Sequence, residues 1–171
     1  NGKASQWGPV TSGVPQGSPL GPVLFTVHIN DVDLVVQHLI ELIRKFADDT
    51  KLGNSAASAE QRQALQHALD VLMDWAAYWG MSFNVKKCKV MHLGNSNVKQ
   101  KYGRGGAELE ETTEERDIGV IVTNTLKPSA QCAKAAATAA RVLSQITRSF
   151  HYRDRHVFVQ LYKQYVRPHL E

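Results

Sequence analysis

Residues 44–53 read RKFADDTKLG. Asp48 and Asp49 stand side by side, behind the apolar pair Phe46–Ala47 and ahead of Thr50 and Lys51. Adjacent carboxylates repel each other, so an apolar run that leads into such a pair needs a reason. One reason is turn chemistry, since Asp at a hairpin tip is ordinary. The other is a hard-cation site, because Mg²⁺ is commonly held by one or two carboxylates together with substrate phosphates. On the N-terminal side Leu39, Ile40, Leu42, Ile43 and Phe46 supply apolar content. The stretch 39–53 therefore predicts two short strands around an acidic turn. In that reading a strand delivers both carboxylates from a buried sheet, with a further carboxylate needed from a neighbouring strand.

The flanking segments set the fold class. Residues 8–22, GPVTSGVPQGSPLGP, are dense in Gly, Pro and Ser and read as loop. The apolar run VLFTVHI follows at once, which predicts a buried helix starting near Ser18 or Pro19. Ser58–Trp79 is the clearest helix. Ser58 with Gln61 forms a capping box, and Leu65, Ala68, Leu69, Leu72, Trp75, Ala76 and Trp79 recur at helical spacing before Gly80. That stripe reads as core, both tryptophans included. MSFNV and KVMHL alternate like strands, and DIGVIV reads as one short strand. KQKYGRGGAELEETTEER reads as exposed, and TLKPS as a turn. Helices are expected over 129–150 and again over RDRHVFVQLYKQYVR up to Pro168. The order gives an α+β lobe followed by a helical segment.

Composition narrows the function classes. The chain has 171 residues, 43% of them hydrophobic, enough to bury a core. No run reaches the ~18 apolar residues of a membrane span. The segment NGKASQWGPV lacks the apolar core of a signal peptide. Cys88 and Cys132 form no metal-type spacing and are expected to be reduced thiols with no disulfide. Net charge is +4. Lys86, Lys87 and Lys89 cluster, as do Lys99, Lys101 and Arg104, and Arg148, Arg153 and Arg155. The acids concentrate in Glu108–Asp117. Segregated charge of this kind suits a nucleic-acid binder.

FADD within its short hairpin resembles the catalytic turn of reverse transcriptases. Upstream, SGVPQGSPLGPVLF (Ser12–Phe25) is similar to that family's second palm motif. Downstream, WGMSFNVKKCKVMHLG (Trp79–Gly94) is similar to the fourth, and RDIGV (Arg116–Val120) resembles the strand that follows it. QCAKAAATAARVLSQITR and LYKQYVRPHLE resemble thumb-side helices. The N-x-x-K-C-K stretch and RPHLE are similar to the LINE-type, non-LTR branch, near jockey-like elements.

The resemblance implies a partial polymerase palm over 1–125 and a truncated, helical thumb-like segment over 126–171. It implies Asp48 and Asp49 as ligands of Mg²⁺ (or Mn²⁺) in the context of a complete palm, with Asp48 the more direct ligand. Phe46 would pack beneath the turn. Gly13, Pro15, Gln16, Gly17 and Ser18 would lie beside the incoming nucleotide and template. Asn84 and Lys87 belong to the fourth motif, where Lys87, ahead of Lys89, would protonate the leaving pyrophosphate. Ile118, Gly119 and Val120 would lie near the primer grip. Implied partners are an RNA template, a DNA primer and deoxynucleoside triphosphates, and the implied compartments are cytoplasm and nucleus. His92 and Cys88 read as packing residues.

The family's first palm motif, which carries a further metal-binding aspartate, lies tens of residues before SGVPQG, whereas this sequence begins eleven residues before Ser12. The expectation is therefore a piece of a longer protein, inactive as a polymerase on its own. Asp31 and Asp33 in INDVD are expected to point away from the metals. The alternative expectation is a non-catalytic nucleic-acid-binding remnant of a mobile element.

Overall fold

A computed structural model describes residues 8–9, 13–14, 17–104, 106–152 and 154–171. In chain order the elements are α1 (Leu20–His28), β1 (Leu42–Phe46), β2 (Asp49–Gly53), α2 (Ala59–Tyr78), β3 (Lys89–Val90), β4 (Gly103–Arg104), β5 (Ala107–Glu108), β6 (Glu110–Glu111), β7 (Glu114–Asp117), β8 (Val120–Thr123), α3 (Ser129–Ser149) and α4 (Arg155–Leu161). β1–β2, β4–β5 and β7–β8 are antiparallel pairs, and β3–β6 is parallel. The mixed α+β expectation is borne out. The described residues fall into two packing units. One lies within Asn1–Val85 and Tyr102–Glu108, the other within Lys86–Lys101 and Leu109–Glu171.

In the first unit, Ser58 starts α2 as expected. Its hydroxyl accepts from Gln61 N at 3.2 Å, and Gln61 Oε1 accepts from Ser58 N. Two orphan donors of the first turn are thereby satisfied. The inward stripe of α2 is Ala68, Leu72, Trp75 and Ala76, and it packs on Val32, Val36 and Ile40. Val32 and Val36 are the largest fully buried side chains among the described residues, yet they lie in a series of turns between α1 and β1. Ile43 and Leu52, opposite each other in the β1–β2 ladder, seat the hairpin on this core. Gln66 of α2 fastens β4 from both ends of its amide. Its Nε2 donates to Gly103 O and its Oε1 accepts from Gly103 N, each at 3.0 Å.

In the second unit, Ala139 and Ile146 of α3 pack on Val166, with Val142, Phe158 and Leu161 around them. Asp154 caps α4 by accepting from His156 N and Val157 N at 2.9 and 3.1 Å. The amide of Ile121 in β8 donates to Gln131 Oε1 at 2.9 Å, tying that strand to the first turn of α3.

Several sequence expectations are corrected. α1 is not buried: Leu20, Val23, Leu24 and Val27 are each more than half exposed. Only Gly21, Phe25, His28 and Ile29 turn inward, so a helix apolar on every side leaves most of itself in solvent. Trp79 is not core. It caps α2 one step beyond the packed stripe, 42% exposed, with its ring edge-to-face against His28 and Tyr78. MSFNV forms no strand, because Met81 N still bonds to Ala76 O as α2 unwinds, and Val85–Lys87 closes into a 3-10 turn. In KVMHL only Lys89–Val90 pairs. DIGVIV is broken at Ile118–Gly119, where φ is 43° and 86°. Two positive φ values make the two-residue loop that lets Asp117 face Val120. The polar segment KQKYGRGGAELEETTEER is not wholly exposed, since Tyr102 and Leu109 within it are buried.

Candidate active-site turn

The hairpin register is Leu42↔Gly53, Ile43↔Leu52, Arg44↔Lys51, Lys45↔Thr50 and Phe46↔Asp49. The loop is therefore the two residues Ala47 and Asp48. Ala47 adopts φ 51° while Asp48 keeps a negative φ, the pattern of a hairpin turn that usually takes glycine in its first place. An alanine there stores backbone strain at the position that aims the acidic pair.

Strand alternation decides what lies on each side. Ile43, Lys45, Thr50 and Leu52 form the inner face. Arg44, Phe46, Asp49 and Lys51 form the outer one. Phe46 is 60% exposed, so it does not pack beneath the turn, and the carboxylates do not emerge from a buried sheet. The inner position beside the turn belongs to Lys45. Its ammonium donates to the carbonyls of Ile29 (3.2 Å) and Asn30 (2.9 Å) and to Asp33 Oδ1 (2.9 Å). This ion pair, led by the hydrogen bond from Lys45, holds the Asp33 carboxyl below its ordinary value, against a smaller opposing effect of burial. Asp33 is thus a partner of the hairpin's lysine, a role sequence reasoning missed. The available signal was a lysine at an inward-alternating position next to Ile43. A concavity of ≈ 210 Å³ lies between the turn and α1, with Pro22, Phe25 and Ile29 on one wall and Lys45 and Ala47 on the other.

Asp48 and Asp49 are both exposed, and among the described residues neither side chain has a hydrogen-bond or ion-pair partner. Two exposed carboxylates at one turn, with no described partner, fit the protein share of a hard divalent-cation site, whose other oxygens come from water and phosphate. Among the described residues no third His, Cys, Asp or Glu joins them.

Of the other expected site residues, Gly13 (φ 85°) and Gly17 (φ 83°) occupy conformations that favour glycine. Ser18 accepts from Gly21 N at 3.0 Å and helps start α1, the helix that walls the concavity. Ser12, Pro15, Gln16 and Arg153 lie outside the described residues. Asn84 is exposed just before the 3-10 turn, and Lys87 ends that turn, exposed. Lys87 belongs to the second packing unit. Lys89 pairs with Glu110, and Lys99 reaches Glu111 at 3.8 Å. Part of the charge segregation seen along the sequence is thus neutralised in space.

The family described as reverse transcriptase (RNA-dependent DNA polymerase) matches residues 1–152. The chain belongs to the reverse transcriptase family. The RNA-directed DNA polymerase from mobile element jockey of Drosophila funebris is 35% identical over 125 residues, which is 68% of this chain and 14% of that protein. Its counterpart in Drosophila melanogaster is 35% identical over 101 residues, 56% of this chain and 11% of that protein. The chain thus spans a small part of these relatives, and it is similar to them within the LINE-type, non-LTR branch. No solved structure matches it closely enough to count. Within this reverse transcriptase segment no described helix is long and apolar enough to cross a membrane, and neither Cys88 nor Cys132 is in a disulfide.

Proposed function

We propose that the chain is palm and thumb-side sequence, over 1–125 and 126–171, of an RNA-directed DNA polymerase of a jockey-like mobile element. The observation that carries this reading is the acidic pair at the tip of the hairpin, Asp48 in its two-residue loop and Asp49 opening β2, within a sequence that matches the family over most of its length. The substrates are an RNA template, a DNA primer and deoxynucleoside triphosphates. Asp48 and Asp49 would hold Mg²⁺ or Mn²⁺. Bound there, the ion supplies Lewis-acid stabilisation of charge on the reacting phosphate.

The chain's own residues have separable tasks. The two carboxylates bring negative charge to a solvent-open turn where no described residue pairs with them. Gly13, Gly17 and Ser18, with Pro15 and Gln16 of the same sequence motif, would lie beside the incoming nucleotide, where glycine permits close approach. Phe46 offers an exposed aromatic face on the hairpin's outer side. Asn84 positions the segment that leads to Lys87. Lys87 gives a proton to the departing pyrophosphate, and its freedom from any ion pair among the described residues favours it over Lys89, which Glu110 already engages. Among the described residues no third carboxylate joins these two, and the chain by itself is expected to lack polymerase activity. Such a product works where its RNA and target DNA meet, in cytoplasm and nucleus.

A second reading, metal-independent nucleic-acid binding, is favoured by α3. That helix carries no acid, and Lys134, Arg141 and Arg148 recur every seven residues, all exposed. Seven residues advance about 10.5 Å and drift only about 20° around the axis. The three charges therefore form a nearly straight line suited to a phosphate backbone. Fluorescence anisotropy of an RNA–DNA hybrid separates the readings. If Mg²⁺ strengthens binding by the native chain but not by an Asp48→Asn, Asp49→Asn variant, the polymerase reading stands. Binding that both proteins share, sensitive to salt but not to Mg²⁺, leaves the second.

A further inference from the structure

We infer that Lys45 is a positioning residue whose ammonium, tied to the carboxyl end of α1 and to Asp33, sets where the acidic turn sits. The inference rests on reading Asp48 and Asp49 as ligands and assigns what holds them.

Packing accounts for only the root of the hairpin. Ile43 and Leu52 meet the core there, and a two-stranded hairpin without further support is marginal in water. Nearer the turn packing stops: Phe46 faces solvent, and the space between Ala47 and α1 is the ≈ 210 Å³ concavity. What spans the gap is the Lys45 side chain. An ammonium has three donors, and all three are used, at 3.2, 2.9 and 2.9 Å. Two acceptors are carbonyls at the end of α1, where the helix carries partial negative charge. The third is the carboxylate of Asp33. Lys45 stands three residues before Asp48, across the ladder from Thr50, which follows Asp49 directly. A strained φ of 51° at Ala47 persists only if its surroundings over-determine it; the Phe46↔Asp49 pair closes the loop, and the three Lys45 bonds fix that closed loop against α1. A hydrocarbon side chain of the same length would fill similar space but supply none of them.

The test uses backbone amide NMR on the native chain and on Lys45→Met, Lys45→Arg and Asp33→Asn. ¹⁵N relaxation without metal reads the order of the Ala47, Asp48 and Asp49 amides. Broadening by Mn²⁺ then reads affinity at the same amides. The expected result for Lys45→Met is lower order at those amides with α2 unchanged, and a Mn²⁺ midpoint weakened about tenfold, the size of effect seen when a group that orients a metal ligand is removed. Lys45→Arg recovers most of both losses, and Asp33→Asn falls between. If the lysine only added stability, Lys45→Met would lower the unfolding temperature and leave the turn's order unchanged well below it. Native order in Lys45→Met, with a native midpoint, overturns the inference. Should Lys45→Met not fold, Asp33→Asn decides by the same readings, since it removes one acceptor's charge and keeps the lysine. Absence of Mn²⁺ broadening in the native chain would defeat the metal reading, while the metal-free order measurement would still decide the anchor.

Discussion

Ile118 sits at φ 43° in the β7–β8 loop with its side chain 66% exposed. A β-branched residue in left-handed backbone is an outlier, and burial does not offset its cost here. Replacing Ile118 with Gly is expected to raise unfolding stability by about 1 kcal/mol, the lower end of the usual penalty for an L-residue in that region. The urea midpoint would show it. Asp33 gives a pH signature. Its carboxyl is held below the ordinary 3.8, chiefly by the hydrogen bond from Lys45. A carboxyl depressed in the folded state contributes stability that is complete above the ordinary value and is lost as pH falls through the lower folded value. The native chain should therefore lose stability as pH drops below 3.8, and Asp33→Asn should lack that component. The acidic pair was legible at this scale because two carboxylates after Phe46–Ala47 are unusual in any strand. Lys45 was not, because its acceptors lie 12 to 16 residues away in a turn series that no periodicity announces.

Elements with a local cause were the readable ones. α2 starts where its capping box stands, and the β1–β2 hairpin turns where two residues can close it. Ser58→Ala should lower stability by about 1 kcal/mol, the usual cost of removing such a cap, seen as a lower thermal midpoint with the far-UV spectrum intact. What alternation leaves open is which face of a strand meets the core. In β1 the faces Leu42–Phe46 and Ile43–Lys45 both carry apolar groups. Only the packing of Ile43 and Leu52 against the buried cluster that includes Val32 and Val36 selects the second. That selection sends Phe46 outward and brings a lysine in. MSFNV misled for a similar reason: it alternates, but it is the unwinding end of α2 and finds no partner strand among the described residues.

Across the whole molecule the basic groups differ in their availability. Lys89 and Lys99 are taken by Glu110 and Glu111, whereas Lys134, Arg141 and Arg148 line an acid-free helix. Arg141→Ala should weaken binding to any RNA–DNA hybrid irrespective of sequence and reduce the log–log salt slope by about one, measured by anisotropy over a KCl series. In the proposed reading, the acidic turn is what makes the chain more than a cationic surface. Its direct test is electron paramagnetic resonance of free Mn²⁺ titrated into the native chain and into Asp48→Asn, Asp49→Asn, each with an RNA–DNA hybrid present. The account predicts that the native chain withdraws Mn²⁺ from the free signal and that the double variant withdraws no more than the hybrid does by itself. Equal withdrawal by both proteins would contradict it, and the turn would then be solvated acid at a hairpin tip.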